Sequence, residues 1–160
     1  MPSLVGSEMC IRDRGMELSA RWRANRQLTL SGNLAALSAQ FDTLIEAGGV
    51  SRIGNRPTNV PERTANLWAD YRFDDLPLSV GASLQRVGDM FTDNANSVRI
   101  NGYTLADAYA NWQASPGALL TLRVRNLGDK LYGTWSGASA ANQIVLGAPR
   151  TVELTARLDF

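Results

Sequence analysis

The sequence predicts an all-β fold: an antiparallel up-and-down transmembrane β-barrel segment of about seven strands. Three observations predict this class. Apolar and polar residues alternate in seven segments of roughly nine to eleven residues, the length that a tilted strand needs to cross a bilayer. The links between these segments are alternately short and long. The six prolines lie outside the segment interiors, as expected because proline cannot donate a hydrogen bond to a strand ladder.

Composition excludes several classes of function. The 160 residues carry a formal net charge of +1, with fifteen arginines and one lysine, which argues against a nucleic-acid partner. A single cysteine, Cys10, excludes a disulfide framework and a cysteine metal site. The absence of histidine excludes Ser-His-Asp and Cys-His catalysis and histidine metal sites. No apolar run has the length of a transmembrane helix, but alternating barrel strands lack such runs too.

Residues 1–14, MPSLVGSEMCIRDR, differ from the rest of the chain because they show no regular alternation. They resemble the translated adaptor read-through found at the start of some gene predictions from assembled short reads. We therefore interpret them as a non-native leader, with a short native surface segment as the alternative. Residues 15–160 are then one domain, the C-terminal part of a longer barrel.

The seven alternating segments follow one another from Gly15 to Phe160. They read GMELSARWRA, LTLSGNLAAL, ANLWADYRF, LSVGASLQ, YTLADAYANWQ, LLTLRVRN and TVELTARLDF. Residues 33–48 also fit a helix, since Leu34, Leu37 and Phe41 have helical spacing and Gly48 is a typical stop. We favour a strand there, because the alternation of LTLSGN continues into this stretch.

The links are sorted by length. The short links NRQ, DDLP and SPG follow the first, third and fifth segments, and links of about fourteen to twenty-two residues follow the others. A soluble sandwich has no reason to sort its loops in this way, whereas an outer-membrane barrel has short periplasmic turns and long extracellular loops. This orientation brings the end of the last strand, Phe160, to the periplasmic rim.

Charged residues within the segments fall on the face opposite the apolar one. They include Arg21, Arg23, Asp70, Arg72, Arg123, Arg125, Glu153, Arg157 and Asp159. An arginine facing lipid at the midplane costs about 2 to 4 kcal/mol, so this sorting predicts a large polar lumen. Aromatic residues near the short-turn end are predicted to form a membrane girdle. They are Trp22, Tyr71, Phe73, Trp112 and Phe160.

Four later blocks resemble the C-terminal part of TonB-dependent outer-membrane receptors, most closely the siderophore-receptor branch. The blocks are RPTNVPERTANLWADYRF, VGDMFTDNANSVRINGYTLADAY, LRVRNLGDKLYGTW and LGAPRTVELTARLDF. The resemblance implies a 22-stranded barrel in the Gram-negative outer membrane, an N-terminal plug domain, and TonB-driven uptake of ferric siderophores. It also implies that the barrel assembly machinery recognises Phe160. Cobalamin and glycan importers share this architecture, so the substrate stays open.

Six residues of the long links are candidate ligand contacts. Arg52, Arg56 and Arg99 are candidates to attract an anionic ferric complex, and solvated loop charges are the alternative. Phe91, Tyr132 and Trp135 are candidates to stack on a siderophore, and loop packing is the alternative. We predict no catalytic residue, cofactor site or metal site.

The sequence lacks a plug and a TonB-contacting segment, and seven strands cannot close around a plug. We therefore predict a receptor fragment that does not transport by itself. The alternative is a small passive or structural outer-membrane barrel with an unrecognised eighth strand. A soluble lipocalin-like binder is a further alternative. An omptin-like protease or an outer-membrane phospholipase is disfavoured because both depend on histidine. The predicted partners are outer-membrane lipid, siderophore, plug, TonB and assembly machinery, with no nucleic acid.

Overall fold

The computed structural model describes residues 9–137 and 143–159. Its strands are β1 Cys10–Arg23, β2 Leu28–Thr43, β3 Ile45–Glu46, β4 Val50–Ser51, β5 Arg63–Arg72, β6 Leu78–Val87, β7 Met90–Phe91, β8 Arg99–Ile100, β9 Tyr103–Ser115, β10 Ala118–Arg125, β11 Gly133–Ser136, β12 Ile144–Leu146 and β13 Thr151–Leu158. No helix within these two ranges has the length and apolar character needed to cross a membrane.

The seven long strands form one antiparallel sheet in the order β1-β2-β5-β6-β9-β10-β13. Each long strand pairs with the next long strand along the chain, so the sheet is an up-and-down meander. The three short strand pairs, β3–β4, β7–β8 and β11–β12, lie within the three long links. The predicted all-β, seven-stranded up-and-down sheet is confirmed.

Two strand boundaries bear on the predictions: β1 begins earlier than predicted, and the end of β2 decides between strand and helix for residues 33–48. β1 begins at Cys10, five residues before the alternation, and its first residues pair with the end of β2 as far as Thr43. The non-native origin of residues 1–14 stays a prediction. β2 continues to Thr43 and β3 follows at Ile45, so the strand prediction for residues 33–48 is confirmed and the helical alternative is wrong.

The register sorts side chains into rows of like polarity across the sheet. One row of mutually opposite residues is entirely apolar: Trp22, Leu30, Ala69, Ala82, Ala108, Val124 and Val152. The neighbouring row is mostly polar: Arg23, Thr29, Asp70, Gly81, Tyr109, Arg123 and Glu153. Since successive residues of a strand point to opposite faces, the sheet has one apolar face and one polar face.

The apolar face is open over its whole width. Met16, Leu67 and Leu154 are 80, 59 and 75% exposed, on strands at one edge, in the interior and at the other edge of the sheet. Each apolar side chain left in water forgoes about 1.5 to 3 kcal/mol of transfer free energy. The large aliphatic residues therefore do not form a dry centre, and this face fits contact with hydrocarbon.

Side chains on the polar face bond to one another across the strands. The Tyr109 hydroxyl donates a hydrogen bond to the Asp70 carboxylate, and Gly81 makes room for the tyrosine ring, which a Cβ at that position would overlap. Arg125 Nε lies 3.2 Å from Glu153 Oε1. Charges and hydroxyls thus satisfy one another on the face predicted to line the lumen.

β2 reverses the polarity of its two faces along its length. From Leu28 to Ala36, the even-numbered side chains lie on the apolar face of the sheet. Beyond Ala36, the apolar side chains are on the opposite face, where Ala39 and Phe41 are buried, while Gln40 is exposed. The strand therefore continues past the apolar layer into a region where its outer face is polar and its inner face supports a loop.

The sorting of the two faces predicts different costs for the same substitution on adjacent strands. In the complete barrel refolded into lipid vesicles, Leu67→Arg on the apolar face is expected to lower the free energy of unfolding by about 2 to 4 kcal/mol. Ser83→Arg, on the polar face of the neighbouring strand, is the matched control and is expected to cost less than 1 kcal/mol, on the order of a surface change. Equal losses in a denaturant titration would contradict the assignment of the faces.

Candidate functional site

Three long connections emerge at the same end of the sheet and form the candidate site. We call them loop A (residues 44–62, between β2 and β5), loop B (residues 88–102, between β6 and β9) and loop C (residues 126–150, between β10 and β13). All six candidate ligand residues lie in these loops. The apolar residues that are buried in the described ranges also lie at this end of the sheet: Ala39, Phe41, Leu44, Val87, Met90, Ile100 and Tyr103.

Loop C packs on loop B through a small apolar core. Tyr132 of loop C contacts the cluster that Met90, Ile100 and Tyr103 form, and its ring centroid lies 4.5 Å from that of Tyr103. Gly133 permits this close approach, since a Cβ there would lie 3.1 Å from Ile100 Cγ2. The described contacts of Tyr132 are thus packing contacts between two loops.

Two asparagine side chains join the loops by hydrogen-bonding to backbone groups, as a paired strand would. Asn59 of loop A donates from Nδ2 to the Ser136 carbonyl oxygen of loop C (2.9 Å), and its Oδ1 accepts from the Ser136 N–H (3.0 Å). Asn96 of loop B donates from Nδ2 to the Arg56 carbonyl oxygen (2.9 Å), and its Oδ1 accepts from the Arg56 N–H (2.8 Å). Each side chain therefore completes both backbone bonds of a residue in another loop.

Both asparagines have left-handed backbone conformations, with φ of 60° at Asn59 and 56° at Asn96. Asparagine tolerates this region better than most residues with a side chain. A third asparagine, Asn126, has φ of 49° and is buried at the exit of β10. Its Nδ2 donates to the carbonyl oxygens of Lys130 (3.0 Å) and Ala148 (3.1 Å), so it ties the two ends of loop C together.

Arg56 is the centre of a polar cluster between loops A and B. Its guanidinium lies 3.3 Å from Asp89 Oδ2 and 3.5 Å from Glu62 Oε1, and it lies over the Phe91 ring at 5.1 Å from the centroid. Nη2 also donates to the Asp89 carbonyl oxygen at 3.0 Å. Only 16% of the side chain is exposed. The structure thus brings two predicted site residues, Arg56 and Phe91, into direct contact.

The other two candidate arginines are also paired with carboxylates. Arg52 Nε lies 2.8 Å from Glu46 Oε2, and the hydrogen bond from Arg52 is the main cause that lowers the pKa of Glu46. Arg99 Nε lies 3.0 Å from Asp89 Oδ2, and its hydrogen bond is the main cause that lowers the pKa of Asp89. Asn94 of loop B donates to Glu46 Oε1 at 3.0 Å, which adds another link between loops A and B.

Arg99 and Trp135 are the candidates that retain the most accessible surface. The Arg99 side chain is 57% exposed and Trp135 is 51% exposed. The ion pairs and ring pairs found in the described ranges do not include Trp135. Among the six candidates, Arg99 and Trp135 are therefore the accessible cation and the accessible indole, whereas the other four bond or pack within the described loops.

Sequence reasoning missed Asn59, Asn96 and Asp89. The two asparagines lie in stretches rich in turn-forming residues, TNVP and DNANS, which is the one signal that could have indicated left-handed positions. Asp89 lies 33 positions along the chain from Arg56, and only the fold brings the two together.

The bond pattern of Asn59 predicts a local loss when its side chain is removed. Asn59→Gly keeps the left-handed backbone accessible but leaves the buried Ser136 backbone without its partners, at a cost of about 1 to 3 kcal/mol. Hydrogen exchange of the Ser136 N–H should accelerate about tenfold or more. The control is Asn25→Gly, because the Asn25 side chain accepts from the Gln27 and Leu28 N–H groups in a turn at the opposite end and has no other hydrogen bond in the described ranges. Unchanged Ser136 exchange in Asn59→Gly would refute the role of this bond.

The carboxylates between loops A and B predict an acid-sensitive contact. Because the pKa values of Glu46 and Asp89 are lowered in the folded protein, their stabilisation is present above the unfolded values, about 4. It is lost as the pH falls through the lower folded values. Spin labels at Ile53 and Asn101, after replacement of the free Cys10, should report a broadened distance distribution below about pH 4.

The double variant Glu46→Gln and Asp89→Asn is the control for this acid effect. It should give the broadened distribution at neutral pH and show little further change on acidification. A distribution in the unsubstituted loops that stays narrow through the acid range would contradict the ionic link.

The chain matches known proteins along almost its whole length. Residues 11–127 match the profile of the family described as TonB dependent receptor-like, beta-barrel. The chain is 31% identical to the ferrioxamine receptor of Yersinia enterocolitica, over 94% of this chain and 21% of that protein. It is 33% identical to the ferrichrome outer membrane transporter/phage receptor of Escherichia coli K12, over 99% of this chain and 21% of that protein.

Solved structures give the same result. The ferric yersiniabactin uptake receptor of Yersinia pestis matches with a TM-score of 0.80 and 26% identity, over 95% of this chain and 24% of that one. The unliganded ferric citrate transporter matches in fold with a TM-score of 0.82 and 22% identity, over 95% of this chain and 25% of that one. The chain spans about a fifth of the length of the curated relatives it matches. It therefore belongs to the TonB-dependent receptor family and forms part of its outer-membrane β-barrel.

Proposed function

We propose that this chain is the C-terminal part of the barrel of a receptor that imports ferric siderophores across the outer membrane. The observation that carries the proposal is the sorting of the sheet into an exposed apolar face and a bonded polar face. This sorting occurs in a chain whose relatives include receptors for ferrioxamine and ferrichrome. In the complete protein, the polar face lines the lumen around a plug domain, and TonB supplies the energy for transport.

The aromatic residues of the short-turn end support this placement in a membrane. Trp22 on β1 lies in the same row of the sheet as Ala69 on β5, two strands away. Tyr71 lies two residues after Ala69 on β5, toward the short-turn end. Trp112 lies four residues beyond the same row on β9, four strands from β1. This advance of one residue per strand corresponds to a strand tilt of about 35°, given about 3.4 Å per residue and about 4.8 Å per strand.

Outer-membrane barrel strands have tilts of about 35 to 45°, so a line through these aromatics runs parallel to the membrane plane. Phe73 joins the group through an edge-on contact with Tyr71, at 4.9 Å between ring centroids. We propose that Trp22, Tyr71, Phe73 and Trp112 form the periplasmic part of the aromatic girdle. Phe160 lies outside the described residues, and its place in the girdle and its recognition by the assembly machinery stay predictions.

The open edges of the sheet support the proposal that this chain is one part of a larger barrel. β1 and β13 are the two edges, and in the described part of the chain neither has a second strand partner. Unpaired backbone groups in hydrocarbon cost several kcal/mol each, on the order of a lost hydrogen bond in an apolar medium. Further strands of the complete barrel would pair with both edges. The alternative, a small barrel closed by these strands, lacks this support because β1 and β13 do not pair with each other in the described part of the chain.

We propose that the loops contribute to ligand capture in two ways. Arg99 and Trp135 contact the ferric siderophore directly, because their side chains are the accessible ones. Arg52, Arg56, Phe91 and Tyr132 hold the loops in the shape that presents them. The named relatives are receptors and transporters, and we propose that this protein likewise catalyses no reaction.

A chimera tests the proposal. Residues 15–160 replace the matching fifth of the E. coli ferrichrome transporter. Uptake of radiolabelled ferric ferrichrome and ferric ferrioxamine is then measured in cells that lack that transporter. We expect an assembled, heat-modifiable barrel and TonB-dependent uptake of at least one of the two. The unaltered transporter and a TonB-deficient strain are the controls. An assembled chimera that imports neither complex counts against the function.

A further inference from the structure

We propose that Asp89 is a positioning residue for ligand capture. Its carboxylate holds the Arg99 guanidinium by Nε and leaves both Nη groups open to a ferric complex, so that capture favours complexes with a negatively charged group over uncharged ones. The inference rests on the proposed function, in which Arg99 contacts the siderophore. It deepens that function by naming the charge class of the ligand and a residue that sets it.

The backbone of Arg99 is fixed by the short strand pair of loop B. β7 and β8 pair Met90 with Ile100 and Phe91 with Arg99. Met90 and Ile100 are buried with Tyr103, so Phe91 and Arg99 lie on the other face of this strand pair. What stays free is the long Arg99 side chain, whose rotatable bonds would otherwise allow many orientations of the guanidinium.

Asp89 removes much of this freedom. Arg99 Nε donates to Asp89 Oδ2 at 3.0 Å, and in the described ranges Nε is the one nitrogen of this side chain with a hydrogen bond. The N–H groups of Nη1 and Nη2 are therefore available. A guanidinium held at Nε offers them as a planar fork, which matches two oxygen atoms of one anionic group.

Asp89 can orient Arg99 because Asp89 is itself immobilised. Arg56 Nη1 donates to the same Oδ2 at 3.3 Å, and Arg56 Nη2 donates to the Asp89 carbonyl oxygen at 3.0 Å. Arg56 is in turn held by the Val60 carbonyl oxygen at 3.3 Å and by the Phe91 ring. Side-chain exposure rises from 16% at Arg56 through 33% at Asp89 to 57% at Arg99, so a buried anchor supports an accessible cation.

The three side chains stay cationic although they are paired. Two guanidiniums share one carboxylate, which leaves a net charge of +1. The hydrogen bond from Arg99 is the main cause that lowers the pKa of Asp89, so this carboxylate is ionised at neutral pH. Glu62 lies 3.5 Å from Arg56 Nε and belongs to the buried end of the cluster. The accessible end therefore attracts an anionic group and offers an uncharged complex no such gain.

Two simpler roles for Asp89 predict different results. If Asp89 only neutralised Arg99, its removal would raise the local positive charge and tighten the binding of anions. If Asp89 only supported the loops, its removal would weaken charged and uncharged ligands alike. A positioning role predicts a third result, in which binding of anionic complexes weakens although the local charge becomes more favourable.

The test uses the full-length receptor that carries this barrel segment, with dissociation constants measured by quenching of tryptophan fluorescence. The anionic probes are a ferric triscatecholate and ferric citrate. The uncharged probe is ferrichrome, whose hydroxamates neutralise the ferric ion. Asp89→Ala should weaken the binding of an anionic probe about tenfold, on the order of one charge-assisted hydrogen bond, and the binding of ferrichrome by less than about twofold.

Glu62→Ala is the matched control, because it removes the same charge from the same cluster without a contact to Arg99 in the described ranges. It should leave the affinity for the anionic probe unchanged or raise it. A double-mutant cycle adds a second check. In an Arg99→Gln background, Asp89→Ala should have no further effect on the anionic probe, since Asp89 acts through Arg99.

Equal weakening of both kinds of probe in Asp89→Ala, or unchanged or tighter binding of the anionic probe, would overturn the inference. If Asp89→Ala does not assemble as a heat-modifiable barrel, Arg99→Lys replaces it. Lysine keeps the charge but not the fork, and unchanged anion binding in this variant has the same meaning. A receptor that binds ferrichrome and neither anionic probe refutes the inference and leaves the transport function standing. A receptor that binds none of the three probes contradicts both.

Discussion

The structure depends on one constraint: every strand must satisfy its backbone through its neighbours while its two faces meet different solvents. In hydrocarbon no water is available to replace a missing backbone partner, so hydrogen-bond pairing along the meander is obligatory. Side-chain alternation then follows, because apolar residues reach lipid on one face and charged residues reach water on the other. The rows headed by Trp22 and Arg23 show this sorting across all seven long strands.

Much of the fold follows from this constraint and could be predicted from sequence. The seven segments, their antiparallel order and the separation of short and long links all depend on local patterns. The ambiguity at residues 33–48 has a physical origin in the reversal of faces after Ala36. Where apolar residues change from even to odd positions, as from Leu34 to Leu37 and Phe41, the spacing imitates a helix.

The loops were less predictable because their contacts join residues far apart in the chain. Asn59 and Ser136 are 77 positions apart, and no local pattern indicates that they bond. The sequence could identify Arg56 as a loop cation, but its burial depends on Asp89 and Phe91, which another loop supplies. Loop residues take their roles from tertiary neighbours, whereas strand residues take theirs from the solvent that each face meets.

The asparagine bonds between the loops have a consequence for the conditions that a cell surface meets. An amide that bonds to backbone carries no net charge, so a change in salt concentration or pH outside the cell leaves the hydrogen bonds of Asn59, Asn96 and Asn126 nearly unaffected. The carboxylate pairs beside them respond to both changes. A bacterium that regulates its cytoplasm but not its surroundings thus has, at its outermost layer, amide links between loops that persist while the ionic links beside them strengthen or weaken with the habitat.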